Sequence, residues 1–162
     1  YKGAELGHVG MVYGGVPCTC GRIGCIEAYC SVSALIRMTR ESMQLNAKSK
    51  MWELAQNSLD HVNGRTAFDA MRAGDEAASR VVDQYIDYIA YAVSGMINLF
   101  QPQAVVIGGG ISKEGETLFG PVRARAYPQT FNHEEQNCAR ILQAKLGNDA
   151  GIIGAALLGK QY

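Results

Sequence analysis

The stretch Ala104-Val105-Val106-Ile107-Gly108-Gly109-Gly110 decides the fold class of this chain. Four consecutive apolar residues that end in three glycines predict a buried β-strand running directly into a glycine turn. The segment before it begins at Asp75, a favoured N-cap residue, and stops at Gln101-Pro102. Its apolar residues share one helical face, and they are Ala78, Val81, Val82, Tyr85, Ile89, Val93, Ile97 and Phe100. A long amphipathic helix therefore precedes the strand.

The residues after the glycine turn continue this alternation. Ser112 can cap a helix that extends to about Tyr127, residues 140–145 are a second strand candidate, and residues 150–158 predict a helix rich in small residues. The order helix, strand, helix, strand, helix is typical of an α/β fold. We therefore predict that residues 75–162 form an α/β unit.

The residues before this unit predict helices packed around a core. Apolar residues recur at helical spacing over residues 26–42, a shorter amphipathic segment covers 46–58, and another short helix covers 67–73. Residues 8–13 predict a short strand, and the turn at 14–17 leads into a loop that carries three cysteines. No repeat or linker interrupts this pattern, so we expect a single domain.

Length and composition exclude several classes of protein. The chain has 162 residues, 48% of them hydrophobic and 19% charged, and no apolar run approaches the roughly 18 residues of a membrane span. Fifteen basic residues balance fifteen acidic ones, so bulk charge draws the chain neither to nucleic acid nor to a membrane. Three of the five cysteines are too crowded for a disulfide framework, which indicates a reducing compartment. We predict a cytoplasmic protein.

A histidine and three cysteines form the most specific motif. His8 is followed by Cys18, Cys20 and Cys25, and one imidazole with three thiolates is a recognised tetrahedral zinc site. Three thiolates this close repel one another without a cation, and two glycines between Cys20 and Cys25 let the loop wrap around one. The alternative is that these are small buried cysteines or redox-active thiols. We favour structural zinc.

Two carboxylates flank this motif. Glu5 lies three residues before His8, and Glu27 lies two residues after Cys25. Ionised carboxylates accept hydrogen bonds and a sugar presents a ring of hydroxyl donors, so the pair suits a polyol-binding surface. If one ring nitrogen of His8 binds a metal, the other becomes an oriented donor toward a ligand. The residues alone leave open the alternative of two solvated surface glutamates.

The turn at Gly108, Gly109 and Gly110 is less specific. Glycines at the carboxyl end of a buried strand let backbone N–H groups approach a nucleotide, at the edge where open α/β sheets bind ligands. No Gly-Lys-Ser/Thr follows, as a Walker A loop requires, and the Gly-x-Gly-x-x-Gly pattern is absent. A tight turn from strand to helix explains these glycines equally well.

The motifs resemble the signature of the ROK family, which groups bacterial sugar kinases with sugar-responsive repressors. The resemblance starts with Glu5-Leu6-Gly7-His8 and Cys18-x-Cys20-Gly21-x2-Gly24-Cys25-x-Glu27. It continues through residues 97–102, 106–110 and 146–151, and so covers essentially the whole chain.

This resemblance implies an actin-like, ribonuclease-H-like ATPase fold with a zinc-binding loop. It implies that zinc is bound by His8, Cys18, Cys20 and Cys25, and that hexose hydroxyls are bound by Glu5, His8 and Glu27. It also implies that ATP, with Mg²⁺, lies beside the glycine turn at Gly108, Gly109 and Gly110 and beside the helix after Gly151. We further expect a homodimer.

Two parts of the family pattern are absent from these 162 residues. ROK kinases resemble one another in an N-terminal lobe with an acidic, glycine-rich phosphate loop, and in an Asn-Asp pair whose aspartate is the general base. We therefore expect the C-terminal half of a ROK protein, in which residues 1–27 carry the sugar and zinc motifs. We expect no catalytic residue in this chain and no kinase activity from the chain alone.

Two functions fit these expectations. The first is the C-terminal part of an ATP-dependent hexose kinase of the glucokinase type, which supplies the sugar-binding residues and the adenosine side of the site. The second is the sugar-sensing effector domain of a ROK transcriptional repressor, in which the sugar biases a DNA-binding state. Nucleic acid is a partner only in the second case. The segments 62–67 and 111–116 resemble the kinases, and we favour the first function.

Overall fold

The structure is a computed structural model that describes residues 4–131, 139–146 and 150–158. Residues 147–149, which belong to the family-like motif at 146–151, lie outside that description. The helices are α1 (Glu27–Cys30), α2 (Val32–Leu45), α3 (Lys50–Leu54), α4 (Thr66–Arg72), α5 (Glu76–Phe100), α6 (Glu116–Ala126) and α7 (Ala150–Leu158), and the strands are β1 (Ala104–Ile107) and β2 (Arg140–Gln143). Short 3₁₀ turns occur at Leu6–His8, Leu59–His61, Gly110–Glu114 and Tyr127–Gln129.

The long helix α5 has the apolar face that its sequence predicts, and it packs against α2, α4 and α6. The hydroxyl of Tyr85, inside this packing, donates a 2.9 Å hydrogen bond to the carbonyl oxygen of Cys30. The largest fully buried side chains include Tyr85, Phe68, Phe119, Leu35, Met43 and Met51. Although α5 has 25 residues, no helix in the described part of the chain combines the length and apolar character needed to cross a membrane.

The side chain of Asp75 accepts hydrogen bonds from the first turns of two helices, α5, which it caps, and α3, which Ser49 caps. One carboxylate oxygen accepts a 2.8 Å hydrogen bond from the backbone N–H of Ala78, which caps α5 as predicted. The other accepts a 2.6 Å bond from the backbone N–H of Lys50, at the start of α3. Burial raises the pKa of the Asp75 carboxyl, but the N–H donors outweigh burial and hold that pKa below its ordinary value. The ionised carboxylate therefore ties α3 to α5.

Two of the helices predicted before Asp75 differ in the structure. Ser31 divides the helix predicted over residues 26–42, because its backbone is extended, at φ −77° and ψ 163°, and its hydroxyl accepts a 3.0 Å bond from the N–H three residues later. It ends α1 and caps α2. The helix predicted over residues 46–58 shortens to α3, and soon after its end Gln56 and Asn57 adopt positive φ values of 52° and 57°.

The strands β1 and β2 pair in parallel, which confirms the predicted α/β order of helices and strands. Their register places Val106 opposite Leu142. Val105 and Ile107 pack against the helical core, whereas Val106 is 59% exposed and Leu142 is 39% exposed. The prediction of a buried strand is therefore wrong for one face of β1, because the described residues leave that face of the two-stranded sheet open.

Residues 8–13 do not form the predicted strand. Leu6–His8 is a 3₁₀ turn, and the backbone N–H groups of Met11 and Val12 both donate to the carbonyl oxygen of Gly24, at 2.7 and 3.0 Å. The bond from Met11, together with a 2.9 Å bond from the N–H of Ile26 to the carbonyl oxygen of Val9, forms one isolated antiparallel bridge between Gly10 and Cys25, and the pairing does not extend into a strand.

The helix predicted to be capped by Ser112 has its N-cap three residues later, at Gly115. The residues that follow the glycine turn first form the 3₁₀ turn Gly110–Glu114, and the hydroxyl of Ser112 donates a 2.8 Å bond to the carbonyl oxygen of Gly109. Gly115, at φ 56°, occupies the N-cap position of α6. The hydroxyl of Ser112 therefore closes the turn and does not cap the helix.

Candidate functional site

Hydrogen bonds close the loop that carries the three cysteines. The N–H of Gly24 donates a 2.8 Å bond to the carbonyl oxygen of Val16. Gly24 has φ 75°, and a Cβ at this position would lie 1.8 Å from the carbonyl oxygen of Val12. Only glycine permits this approach. The closed loop then brings the cysteines next to His8.

The structure places the four predicted metal ligands together. The ligand atoms of His8, Cys18, Cys20 and Cys25 all lie within 4.8 Å of one another. Nδ1 of His8 lies 3.6 Å from Sγ of Cys18, and the Sγ atoms of Cys20 and Cys25 lie 3.7 Å apart. Ligand atoms on a tetrahedral zinc with ordinary bond lengths are separated by about 3.6–3.8 Å. The donor set and these two separations fit zinc.

The loop shifts the pKa of two of these thiols in opposite directions. A hydrogen bond from the backbone of Arg22 lowers the pKa of Cys20 to about 6, whereas burial raises the pKa of Cys25 to about 11. A bound divalent cation favours the thiolate at each of its ligands.

Glu27, the first residue of α1, lies beside the imidazole of His8. Its Oε2 is 4.0 Å from Nε2 of His8, and its Oε1 accepts a 2.6 Å hydrogen bond from the hydroxyl of Thr19. The bond from Thr19 lowers the pKa of Glu27 below its ordinary value. Because Nδ1 of the ring faces the thiols, the opposite nitrogen faces this carboxylate. The histidine thus connects the thiol cluster to an acidic group.

Glu5 immediately precedes the 3₁₀ turn Leu6–His8, and its side chain is exposed. A Cβ on Gly7 would lie 3.8 Å from Cβ of Glu27, so the turn runs along the start of α1. The predicted sugar ligands Glu5, His8 and Glu27 therefore occupy one region of the surface. Their contact with a sugar stays a prediction.

Sequence reasoning missed Thr19, whose hydroxyl binds Glu27. A hydroxyl residue between two cysteines carries no distinctive spacing, so nothing in the sequence singles it out. Sequence reasoning also missed the contact of Arg22, whose guanidinium donates a hydrogen bond to the carbonyl oxygen of His8. An arginine in a glycine-rich loop more commonly carries a solvated charge. A cavity of about 380 Å³, lined in part by Thr19, Glu27 and Ser33, opens beside the contact between Thr19 and Glu27.

The glycine turn lies at the carboxyl end of β1. A Cβ on Gly108 would lie 3.3 Å from Cβ of Ala144, which follows β2, and Gly109 has φ 81°. Gly110 opens the next 3₁₀ turn, and Gly151 lies in the first turn of α7. The turn thus occupies the sheet edge where α/β folds bind ligands. Nucleotide binding at Gly108, Gly109, Gly110 and Gly151 stays a prediction.

Comparison with known proteins identifies the family. The sequence profile of the ROK family matches residues 2–162. The chain belongs to the ROK family. It is 40% identical over 159 residues to a glucokinase of Thermotoga maritima, in an alignment that covers 98% of this chain and 50% of the relative. This ROK chain therefore spans about half the length of the curated relatives it matches.

Solved structures show the fold. The chain matches a ROK family glucokinase from Streptomyces griseus, solved in complex with glucose and AMPPNP, with a TM-score of 0.88 and 32% identity, over 99% of this chain and 52% of that one. It matches a ROK family transcriptional regulator with a TM-score of 0.75 and 25% identity, over 96% of this chain and 38% of that one. The predicted family is confirmed, and the chain has the fold of ROK sugar kinases.

Proposed function

We propose that this chain is part of a cytoplasmic, ATP-dependent hexose kinase of the glucokinase type. The observation that carries the proposal is the match over 99% of the chain, at a TM-score of 0.88, to a glucokinase solved with glucose and AMPPNP. The 40% identity to a second glucokinase supports the same activity. Because the chain spans about half of each protein, it contributes part of the active site.

The sugar side of the site uses His8 and Glu27. When Nδ1 of His8 is a metal ligand, the ring proton resides on Nε2, which then acts as a donor. Oε2 of Glu27 accepts, and the 4.0 Å between the two atoms lets one hexose hydroxyl accept from the histidine and donate to the carboxylate. The exposed Glu5 provides a further acceptor at the same surface.

The proposed zinc ligands are His8, Cys18, Cys20 and Cys25. Zinc in a closed site of this kind supplies no chemical step and stabilises the fold of the loop. The chain's own contribution is geometric, because the closed loop orients the imidazole toward the bound hexose and limits its rotation.

The nucleotide side of the proposed site is the glycine turn. The backbone N–H groups of Gly108, Gly109 and Gly110, and the start of α7 at Gly151, contact ATP in this proposal, and Mg²⁺ neutralises the charge of the phosphates. The general base that accepts the proton of the sugar hydroxyl belongs to the part of the relatives that this chain does not cover. The chain therefore binds and orients both substrates and lacks the base.

The test is Glu27→Ala in the complete gene product, with Glu53→Ala, an exposed glutamate in α3, as the control. We expect glucose binding, measured by titration calorimetry, to weaken by about 1–3 kcal/mol in Glu27→Ala, because a charged acceptor for sugar hydroxyls is lost. The melting temperature should change little, and Glu53→Ala should bind glucose normally. Unchanged glucose affinity with a lowered melting temperature would show that Glu27 only stabilises the start of α1 and does not bind the sugar.

A second candidate is the effector domain of a ROK repressor, which the match to a ROK transcriptional regulator favours. A kinase converts glucose and ATP to a sugar phosphate and ADP, whereas a repressor binds the sugar without turnover and changes its affinity for DNA. A coupled ADP-release assay on the complete gene product separates the two. The expected homodimer is tested on the same sample by light scattering.

A further inference from the structure

Thr19 makes the shortest side-chain contact that Glu27 has within the described residues. Its hydroxyl donates a 2.6 Å hydrogen bond to Oε1 of Glu27, and Sγ of Cys18 lies 3.6 Å from the same oxygen. The other oxygen, Oε2, faces Nε2 of His8 across 4.0 Å. Thr19 therefore holds the oxygen that the histidine does not face.

The loop restrains Thr19 itself. The residue lies between Cys18 and Cys20, two of the proposed metal ligands, and the N–H of Cys18 donates a 2.8 Å bond to the carbonyl oxygen of Arg22. A threonine side chain has few χ1 rotamers, whereas a glutamate side chain has several rotatable bonds and loses considerable entropy when it is ordered. A stiff donor on a closed loop can therefore restrain a flexible carboxylate.

We propose that Thr19 is a positioning residue for hexose binding, an inference that rests on the proposed function. Its hydroxyl holds Oε1 of Glu27, so that Oε2 points toward the gap beside His8 where a sugar hydroxyl binds. Thr19 acts through Glu27 and does not need to touch the sugar. Without the hydroxyl, the carboxylate samples other rotamers, and binding must then order it.

The test compares Thr19→Val, Thr19→Ser and Ser33→Ala in the complete gene product. Valine keeps the shape of threonine and removes the hydroxyl, and serine keeps the hydroxyl. Ser33 is the matched control, because it is exposed on the same cavity and, within the described residues, makes no hydrogen bond to Glu27. The measurements are the Kd for glucose by titration calorimetry, kcat, the KM for glucose and for ATP, and the zinc content per chain.

We expect Thr19→Val to raise the Kd and the KM for glucose about three- to tenfold, because a hydrogen bond that orders a charged acceptor is lost. The kcat, the KM for ATP and the zinc content should stay unchanged. Thr19→Ser should restore glucose binding, and Ser33→Ala should leave it unaltered.

Unchanged glucose affinity in Thr19→Val overturns the inference and leaves the proposed function standing, provided that Glu27→Ala still loses affinity. Zinc loss in parallel with the loss of affinity also overturns it, as does failure of Thr19→Ser to restore binding, because either result assigns Thr19 to the structure of the loop. If the parent protein binds no glucose, or Glu27→Ala binds it normally, the proposed role of Glu27 is wrong, and the inference fails with it.

Discussion

The carboxylate of Asp75 offers a direct test of the packing, because one side chain binds the first turns of both α3 and α5. It accepts hydrogen bonds from the N–H groups of Ala78 at 2.8 Å and Lys50 at 2.6 Å, and only 8% of the residue surface is exposed. In Asp75→Ala both N–H groups lose their acceptor. We expect a large loss in the free energy of unfolding, with α3 less firmly held against α5.

The magnitude follows from the two bonds. Loss of an N-cap residue costs about 0.5–2 kcal/mol, and loss of the partly buried hydrogen bond from Lys50 to the charged carboxylate adds about 1.5–3 kcal/mol. Asp75→Ala should therefore destabilise the protein by about 2–5 kcal/mol at neutral pH. Asp75→Asn should lose less, because its amide oxygen can still accept from Ala78 while its NH₂ cannot accept from Lys50. Asp60→Ala, at an exposed aspartate, is the control and should change stability by less than about 0.5 kcal/mol.

The same contribution depends on pH in a defined direction. The pKa of Asp75 is lowered in the folded state, so its stabilisation is fully present above the unfolded value of about 3.9 and is lost as the pH falls through the folded value. Urea unfolding at neutral pH and at about pH 3 should therefore show a smaller difference between wild type and Asp75→Ala in acid. A loss below about 0.5 kcal/mol at neutral pH, or an equal loss at both pH values, would refute this reasoning.

Three further outcomes test the site. Purified protein never exposed to chelator should carry about one zinc per chain, and chelation should destabilise the loop and α1; metal analysis well below half an equivalent would contradict the zinc site. Gly24→Ala should lower the melting temperature and zinc retention more than Gly21→Ala. Both glycines have positive φ, but only at Gly24 does the new Cβ meet a backbone oxygen, that of Val12, at 1.8 Å. The reverse order would show that contact to be unimportant. The 162-residue chain alone should not phosphorylate glucose, and turnover within about tenfold of the complete gene product would place the base in this chain.

Helices and strands whose sequence signals are local were predicted from the sequence alone. The helix after Asp75 and the strands β1 and β2 were predicted correctly, because periodicity, the cap and the apolar run are all local. The break at Ser31 was not, because serine is compatible with both a helix interior and an N-cap. The strand predicted over residues 8–13 was wrong, since the segment pairs with the cysteine loop only at the single bridge between Gly10 and Cys25, and that pairing depends on how the loop closes.

By itself the sequence determined the family, the α/β order of helices and strands, and the set of four metal-ligand candidates, because each depends on residue types and their spacing along the chain. Only the tertiary structure decided which nitrogen of His8 faces the thiols, that Thr19 holds Glu27, and that Asp75 also accepts a hydrogen bond from Lys50 in α3. The partners in the last two contacts are 8 and 25 residues apart. Their approach depends on loop closure and helix packing, which no local pattern encodes.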